Sequence, residues 1–286
     1  MFRRDYLKKP EWLKIRIPSG HEFRAVFDLL KQYNLSTVCE EARCPNMHEC
    51  WNKKCATIMI LGKICTRACR FCSVKTGDPG GKFDPEEPSH VAQAIKKLGL
   101  RYVVITSVDR DDLKDYGSTR YAATISAIKE ENPQTRVEAL IPDFSSKEYL
   151  KTVTDVLPFV IGHNVETVER LTEYIRDRRC GYEKSLEVLR QVKELNSNIY
   201  TKSGLMLGLG EEKQEIIQTL KDLNATGVDV VTIGQYLQPT KKHHFVQKYY
   251  IPEEFDEFRK FGEDIGINHV LSGPLVRSSY HASEIL

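Results

Sequence analysis

The stretch Ala56-Thr-Ile-Met-Ile-Leu61-Gly-Lys-Ile-Cys65-Thr-Arg-Ala-Cys69-Arg-Phe71-Cys72 runs a nearly all-apolar segment straight into three closely spaced cysteines. A short continuous apolar run, as opposed to strict alternation, is the pattern of a strand covered on both faces in a parallel sheet. Five further runs repeat it, at 102–106, 137–141, 159–161, 204–209 and 228–233. The segments 90–100, 120–131, 146–156, 165–176, 182–195 and 212–225 carry apolar residues at helical spacing. Six βα units follow, which predicts right-handed crossovers and either an open doubly wound sheet or a full or partial barrel.

The polar residues bear on that choice. Just after the strand ends come Cys65, Cys69 and Cys72, then 107–112, Asn164 and Glu166, Gly208, Gly210 and Glu211, and Gln235, Tyr236 and Gln238. A barrel gathers such groups around one mouth. The expected fold is therefore α/β, a partial (β/α)6 TIM-like barrel over 56–250. It is preceded by an extension, 1–55, with a helical stretch at 22–33, and followed by a helix and tail, 251–286. Both extensions are expected to pack across the mouth. No internal repeat or low-complexity segment interrupts this reading.

With 286 residues, 41% hydrophobic and 29% charged, and a net charge of +2, the chain reads as an ordinary globular protein. That balance argues against a nucleic-acid binder. No apolar run approaches a membrane span and no signal segment follows the basic N-terminus, so a cytoplasmic protein without membrane attachment is expected. The eight cysteines then read as cofactor ligands in preference to disulfides.

Seven of them lie from Cys39 to Cys72: Cys55 and two triplets, Cys39-x4-Cys44-x5-Cys50 and Cys65-x3-Cys69-x2-Cys72. A closed zinc site wants four protein ligands, whereas a [4Fe–4S] cluster held by three thiolates leaves one iron open for a reactive ligand. Two triplets predict two clusters. The competing reading is half of a zinc site completed by Cys55, Cys180 or His48, although zinc favours ligand pairs. Cys55 reads as a buried small hydrophobe, Cys180 as a surface or loop thiol, and His48 as a loop histidine bonded to backbone.

Cys65-Thr-Arg-Ala-Cys69-Arg-Phe71-Cys72, with an aromatic residue before the last cysteine, resembles the defining motif of the radical S-adenosylmethionine (SAM) superfamily. The resemblance implies SAM at the open iron and a barrel of the radical SAM type. Gly204-Leu-Met-Leu-Gly208-Leu-Gly210-Glu211 is similar to that superfamily's glycine-rich strand end; alone, it is a tight βα turn with an acid at the helix entry. Asn164 and Glu166 are expected to reach SAM, with helix capping by Asn164 as the alternative. Gln235, Tyr236 and Gln238 are expected to line the adenine or acyl pocket.

Cys39, Cys44 and Cys50 resemble the auxiliary-cluster signature of the lipoyl synthase family. The blocks at 59–62, 106–112, 163–167, 234–239 and Arg277-Ser-Ser279-Tyr280-His281 are also similar to that family's. The resemblance implies Ser279 as fourth protein ligand of the auxiliary [4Fe–4S] cluster. It further implies insertion of two sulfur atoms at C6 and C8 of a protein-bound octanoyl-lysyl group, with the auxiliary cluster as sulfur donor. The implied partners are octanoylated lipoyl-carrier domains (the glycine cleavage H protein and 2-oxoacid dehydrogenase E2), a ferredoxin or flavodoxin, and a cluster-repair carrier. The basic residues Lys8, Lys9, Lys14 and Arg16, with 176–184, are either a solvated face or a steering patch for an acidic carrier. A biotin-synthase-like enzyme, which lacks the first triplet and the tail motif, and a zinc-stabilised binding protein are the competing functions.

Overall fold

The computed structural model describes residues 6–14, 21–42, 44–52 and 56–280. They fall into two compact units, drawn from 16–67 and 74–161 and from 1–15, 68–73 and 162–280. Cys55 and Arg16 lie outside the described residues.

The first unit opens with helix α1 (His21–Gln32), strand β1 (Ser36–Thr37) and the short helices α2 (Val38–Glu41) and α3 (Met47–Asn52). β2 (Thr57–Ile60) follows, then a two-stranded parallel ribbon of β3 (Ile64–Cys65) and β4 (Lys75–Thr76). Regular alternation then begins with α4 (Glu87–Leu98), β5 (Tyr102–Ser107), α5 (Ser118–Glu131), β6 (Arg136–Leu140) and α6 (Lys147–Thr154). β2, β5 and β6 pair in parallel, with Ile58, Ile105 and Ala139 in one row. All three are fully buried, which is why the strands read as apolar throughout. β1 pairs antiparallel with β2, Thr37 opposite Ile58. α4 stops at Gly99, whose left-handed φ of 65° lets its N–H reach the carbonyls of Ile95 and Lys96. α6 starts at Ser146, whose hydroxyl accepts from the Glu148 N–H.

β7 (Val160–Gly162) stands at the division between the units. The second unit continues with α7 (Glu169–Ile175), α8 (Tyr182–Leu195), β8 (Tyr200–Leu207), α9 (Lys213–Ala225), β9 (Val230–Gln235), α10 (Pro252–Asp264) and β10 (His269–Gly273). β8, β9 and β10 are parallel, with Ser203, Val231 and Val270 in one row. Leu205, Leu207, Leu220, Val231, Phe255 and Phe258 belong to the core beneath them.

Each of the six apolar runs is a strand, and the sheet is mostly parallel with alternating helices, the α/β class expected. Two differences have physical causes. The helix expected from residue 165 begins only at Glu169, because Glu166, at φ 67°, joins β8 instead: its N–H bonds Gly204 O at 3.0 Å and its carbonyl accepts from Met206 N at 2.9 Å. β10 is a further parallel strand. His269-Val-Leu-Ser-Gly273 is only partly covered, so it lacks the continuous apolar signature. No helix among the described residues is long and apolar enough to cross a membrane.

Candidate functional site

Cys65 ends β3 in the first unit. The chain leaves β2 through Leu61 and Gly62, both in the left-handed region, and Gly77 N bonds Cys65 O at 2.9 Å. The Cys65 sulfur accepts from Arg67 N at 3.4 Å and faces an Asp109 carboxylate oxygen at 3.7 Å. Arg67, 4% exposed, spreads its guanidinium over three carboxylates: Asp111 at 2.9 Å, Asp109 at 3.3 Å and Asp143 in direct contact. Arg110, 1% exposed, donates to both oxygens of Asp112 at 2.8 Å and to Leu61 O at 3.0 Å. That hydrogen bond holds the Asp112 carboxyl below its ordinary pKa. The charge run 109–112 is thus no solvated face; it clamps the chain on both sides of Cys65.

Cys69 and Cys72 lie in the second unit, in a tight turn closed by Cys72 N to Cys69 O at 3.1 Å. The Cys69 sulfur accepts from Asp177 N at 3.2 Å, and Asp177 Oδ2 accepts from Ala68 N at 2.9 Å. Arg70 stacks on Tyr174, 4.1 Å from the ring centroid, and Phe71 packs against the core. His243 Nε2 lies 2.9 Å from Cys72 O. A carbonyl only accepts, so Nε2 donates there, while Nδ1 lies 2.8 Å from Thr240 Oγ1.

Cys180 also reaches this turn. It hydrogen-bonds Cys69, and that contact, with burial second, pushes the Cys69 thiol up from its ordinary pKa. Cys180 is half-buried and in contact, not simply a surface thiol. Asp177 lies well below the carboxylate range, first through its bonds to Arg179.

Gly208 and Gly210 have φ of 103° and 115°. A Cβ on Gly208 would lie 2.2 Å from Gln235 Nε2 and 2.6 Å from Lys248 O, so only glycine fits there. Glu211, 8% exposed, accepts from Gly208 N at 2.6 Å and Leu209 N at 2.9 Å, bracing the turn, while Glu212 caps α9. Burial raises the Glu211 carboxyl. Gln235 donates to the carbonyls of Leu207, Tyr236 and Lys248 and accepts from Tyr250 N, and Tyr236 OH donates to His244 O at 2.7 Å. These bonds hold the strand ends together. Asn164 donates to Glu166 Oε1 at 3.1 Å, and a Cβ on Gly204 would meet Asn164 Oδ1 at 2.8 Å. Helix capping does not explain Asn164, since α7 begins after Val168.

In the first unit, Cys39 sits on α2 and Cys50 on α3, with Cys44 between them. Cys44 N bonds Cys39 O and Cys50 N bonds Asn46 O, each at 2.9 Å. Phe23 stacks on Trp51 at 5.0 Å and on His48 at 4.5 Å. His48 is therefore a helical, stacked residue, not a loop histidine bonded to backbone, and its Nδ1 and Trp51 Nε1 are buried without a hydrogen-bond partner among the described residues. Ser279 lies half-buried in the turn after β10, where Tyr280 N bonds Arg277 O at 3.0 Å. This tail presses on β9: a Cβ on Gly234 would lie 2.0 Å from Val276 O. Lys9 lies beside Arg277, and burial and that charge lower its pKa; Arg176 bonds Ser185 inside the fold, and Arg179 pairs with Asp177.

None of the seven described cysteines forms a disulfide. Soft thiols receiving backbone N–H···S bonds suit iron–sulfur ligation, since such donors stabilise anionic sulfur. No three His, Cys, Asp or Glu side chains among the described residues converge on one metal-ion position. A cubane distributes its thiolates over separate irons and does not need such convergence. Sequence reasoning missed Asp143, Asp177 and His243, which lie 78 to 171 residues from the cysteines they support and carry no motif of their own.

The radical SAM superfamily model matches residues 59–223, and a model of the N-terminal domain of lipoyl synthase matches 2–44. The lipoyl synthase of Methanocella arvoryzae is 53% identical over 96% of this chain and 94% of its own length. That of Halorhodospira halophila is 52% identical over 98% and 84%. Among solved structures, a methylornithine synthase (TM-score 0.58, 14% identical, 87% of this chain and 80% of that one) shares the fold. So does the FeFe-hydrogenase maturase HydG of Carboxydothermus hydrogenoformans (TM-score 0.55, 13% identical, 92% and 77%). With half of its residues shared along almost its whole length, the chain belongs to the lipoyl synthase family of radical SAM enzymes.

Proposed function

We propose that this protein inserts two sulfur atoms at C6 and C8 of an octanoyl-lysyl group on a carrier protein, forming the lipoyl group. The observation that carries the reading is the Cys65/Cys69/Cys72 motif, with backbone amides aimed at two of its sulfurs, in a chain of this family. Cys65, Cys69 and Cys72 would hold the [4Fe–4S] cluster that binds SAM. Cys39, Cys44, Cys50 and Ser279 would hold a second cluster. When bound, these groups supply hydrogen abstraction from unactivated carbon and the sulfur itself, chemistry beyond the reach of side chains.

The chain's own residues position and protect. Arg67 N and Asp177 N stabilise the thiolates of Cys65 and Cys69, and the Arg67 and Arg110 ion pairs fix the loop that bears Cys65. His243 ties down the Cys72 carbonyl. Glu211 and Gln235 hold the Gly208 turn rigid, and Gly208, Gly210, Asn164, Glu166 and Tyr236 would line the SAM site beside it. Ser279 supplies a harder oxygen ligand than a thiolate, which suits a cluster that gives up sulfur.

The substrates are octanoylated carriers such as the glycine cleavage H protein and 2-oxoacid dehydrogenase E2, with ferredoxin or flavodoxin as electron donor and a repair carrier for the consumed cluster. An anaerobic assay with SAM, a strong reductant and an octanoyl-lysyl peptide tests the reading: the product gains two sulfurs and loses two hydrogens. A colourless, zinc-containing protein without acid-labile sulfide would overturn it. Ser279→Ala should retain SAM cleavage and lose the dithiolane product.

A further inference from the structure

Cys180 has no part in the sulfur-insertion reading, yet the fold brings it to a residue that does. The turn 177–180 clasps the chain around Cys69. Asp177 N donates to the Cys69 sulfur at 3.2 Å, Asp177 Oδ2 accepts from the preceding residue's N–H, Ala68, at 2.9 Å, and Cys180 N closes the turn on Asp177 O at 2.9 Å. Arg179, through its backbone N–H at 3.1 Å and its guanidinium at 2.8 Å, pins the same carboxylate. The outcome is that the two thiols lie within hydrogen-bonding reach of one another, both half-buried and reachable by small molecules.

We propose that Cys69 and Cys180 form a reversible disulfide in the cluster-free protein, a modification that withholds one ligand from the radical SAM cluster until a dithiol reduces it. The inference rests on Cys69 being a cluster ligand. The oxidant is a low-molecular-weight disulfide. One thiol attacks it and expels a small thiol, then the second thiol attacks the mixed disulfide and expels the other. Two protein thiols and one small disulfide become one protein disulfide and two small thiols, so protons and electrons balance. A disulfide needs the two Cα atoms within about 7 Å, a closeness that the turn clasping Cys69 favours. With iron in place, Cys69 is a metal-bound thiolate and the exchange is blocked, so the disulfide belongs to the empty protein.

Trypsin makes the test direct, because cleavage after Arg67, Arg70, Lys75, Arg179 and Lys184 puts Cys69, Cys72 and Cys180 on three separate peptides, 68–70, 71–75 and 180–184. The full chain is stripped of iron anaerobically, treated with oxidised glutathione, digested and mapped by mass spectrometry. The expected species is 68–70 linked to 180–184, removed by dithiothreitol and absent from Cys180→Ser. Oxidised wild type should then take up less iron and sulfide than reduced wild type by one cluster's worth, and dithiothreitol should restore it. A 68–70 to 71–75 link, or glutathione adducts alone, overturns the inference while leaving the ligand assignment standing. Reduced Cys180→Ser should load iron and sulfide like wild type. If it instead lacks one cluster, Cys180 is itself a ligand, and the three-cysteine reading of that site falls with the inference.

Discussion

Cys39 and Cys50 sit on two short helices with Cys44 between them, and Phe23 and Phe27 pack on Trp51 of the second, whereas Cys65, Cys69 and Cys72 lie on extended chain and tight turns laced by charge. Around the second triplet, amides point at two sulfurs and Arg67 is locked among three aspartates. In the first, Phe23 stacks on His48 and Trp51, and two buried ring nitrogens have no partner among the described residues. Amide donors lower the energy of anionic sulfur and keep it in place, which suits a cluster used turnover after turnover. Ring stacking braces α3, which carries Cys50, through packing.

The comparison breaks most visibly in activity. Cys69→Ala should abolish release of 5′-deoxyadenosine from SAM, while Cys44→Ala should retain it and give no lipoyl product; equal loss of both activities from folded variants would erase the division of labour. Next in size is Arg67→Ala in the cluster-free protein. Removing one partner of a buried charge network costs about 3–5 kcal/mol, read as a lowered denaturant midpoint. An unchanged midpoint would mean that the aspartates relax into water. Trp51→Phe sharpens the other side: the ring stack survives and an unpaired N–H is deleted, so stability should move by less than about 1 kcal/mol.

The smallest effect concerns Asp177, whose carboxyl is depressed by Arg179 and the Ala68 amide. A group depressed in the folded state stabilises fully above its ordinary pKa of about 3.9 and loses that contribution as pH falls through the folded value. The stability gap between wild type and Asp177→Asn should therefore be flat above about pH 5 and shrink on acidification. A gap that widens toward low pH contradicts the sign.

Much of the fold was legible because parallel strands covered on both faces must be apolar along their length, and Thr57–Ile60, Tyr102–Ser107 and Val230–Gln235 obey that rule. His269–Gly273 escaped because it is only partly covered, and Glu166 because a left-handed residue that adds to a strand has no sequence signature. The cysteine spacing was legible for a similar reason: a loop wrapping one cluster needs ligands close in sequence. Gln235 and Tyr236 read as pocket residues, and their side chains also bond the backbone of Leu207, His244 and Tyr250.

By itself the sequence determined the candidate ligand set and the order of strands and helices, because cysteine spacing and apolar periodicity are local. Only the tertiary structure decided which distant groups stand behind each sulfur. Asp177 and His243 meet Cys69 and Cys72 across more than a hundred residues, and Cys180, in sequence a surface or loop thiol, becomes a neighbour of Cys69. Those contacts arise where chain returns from far away, and hydrogen bonds between distant segments leave no periodicity to read.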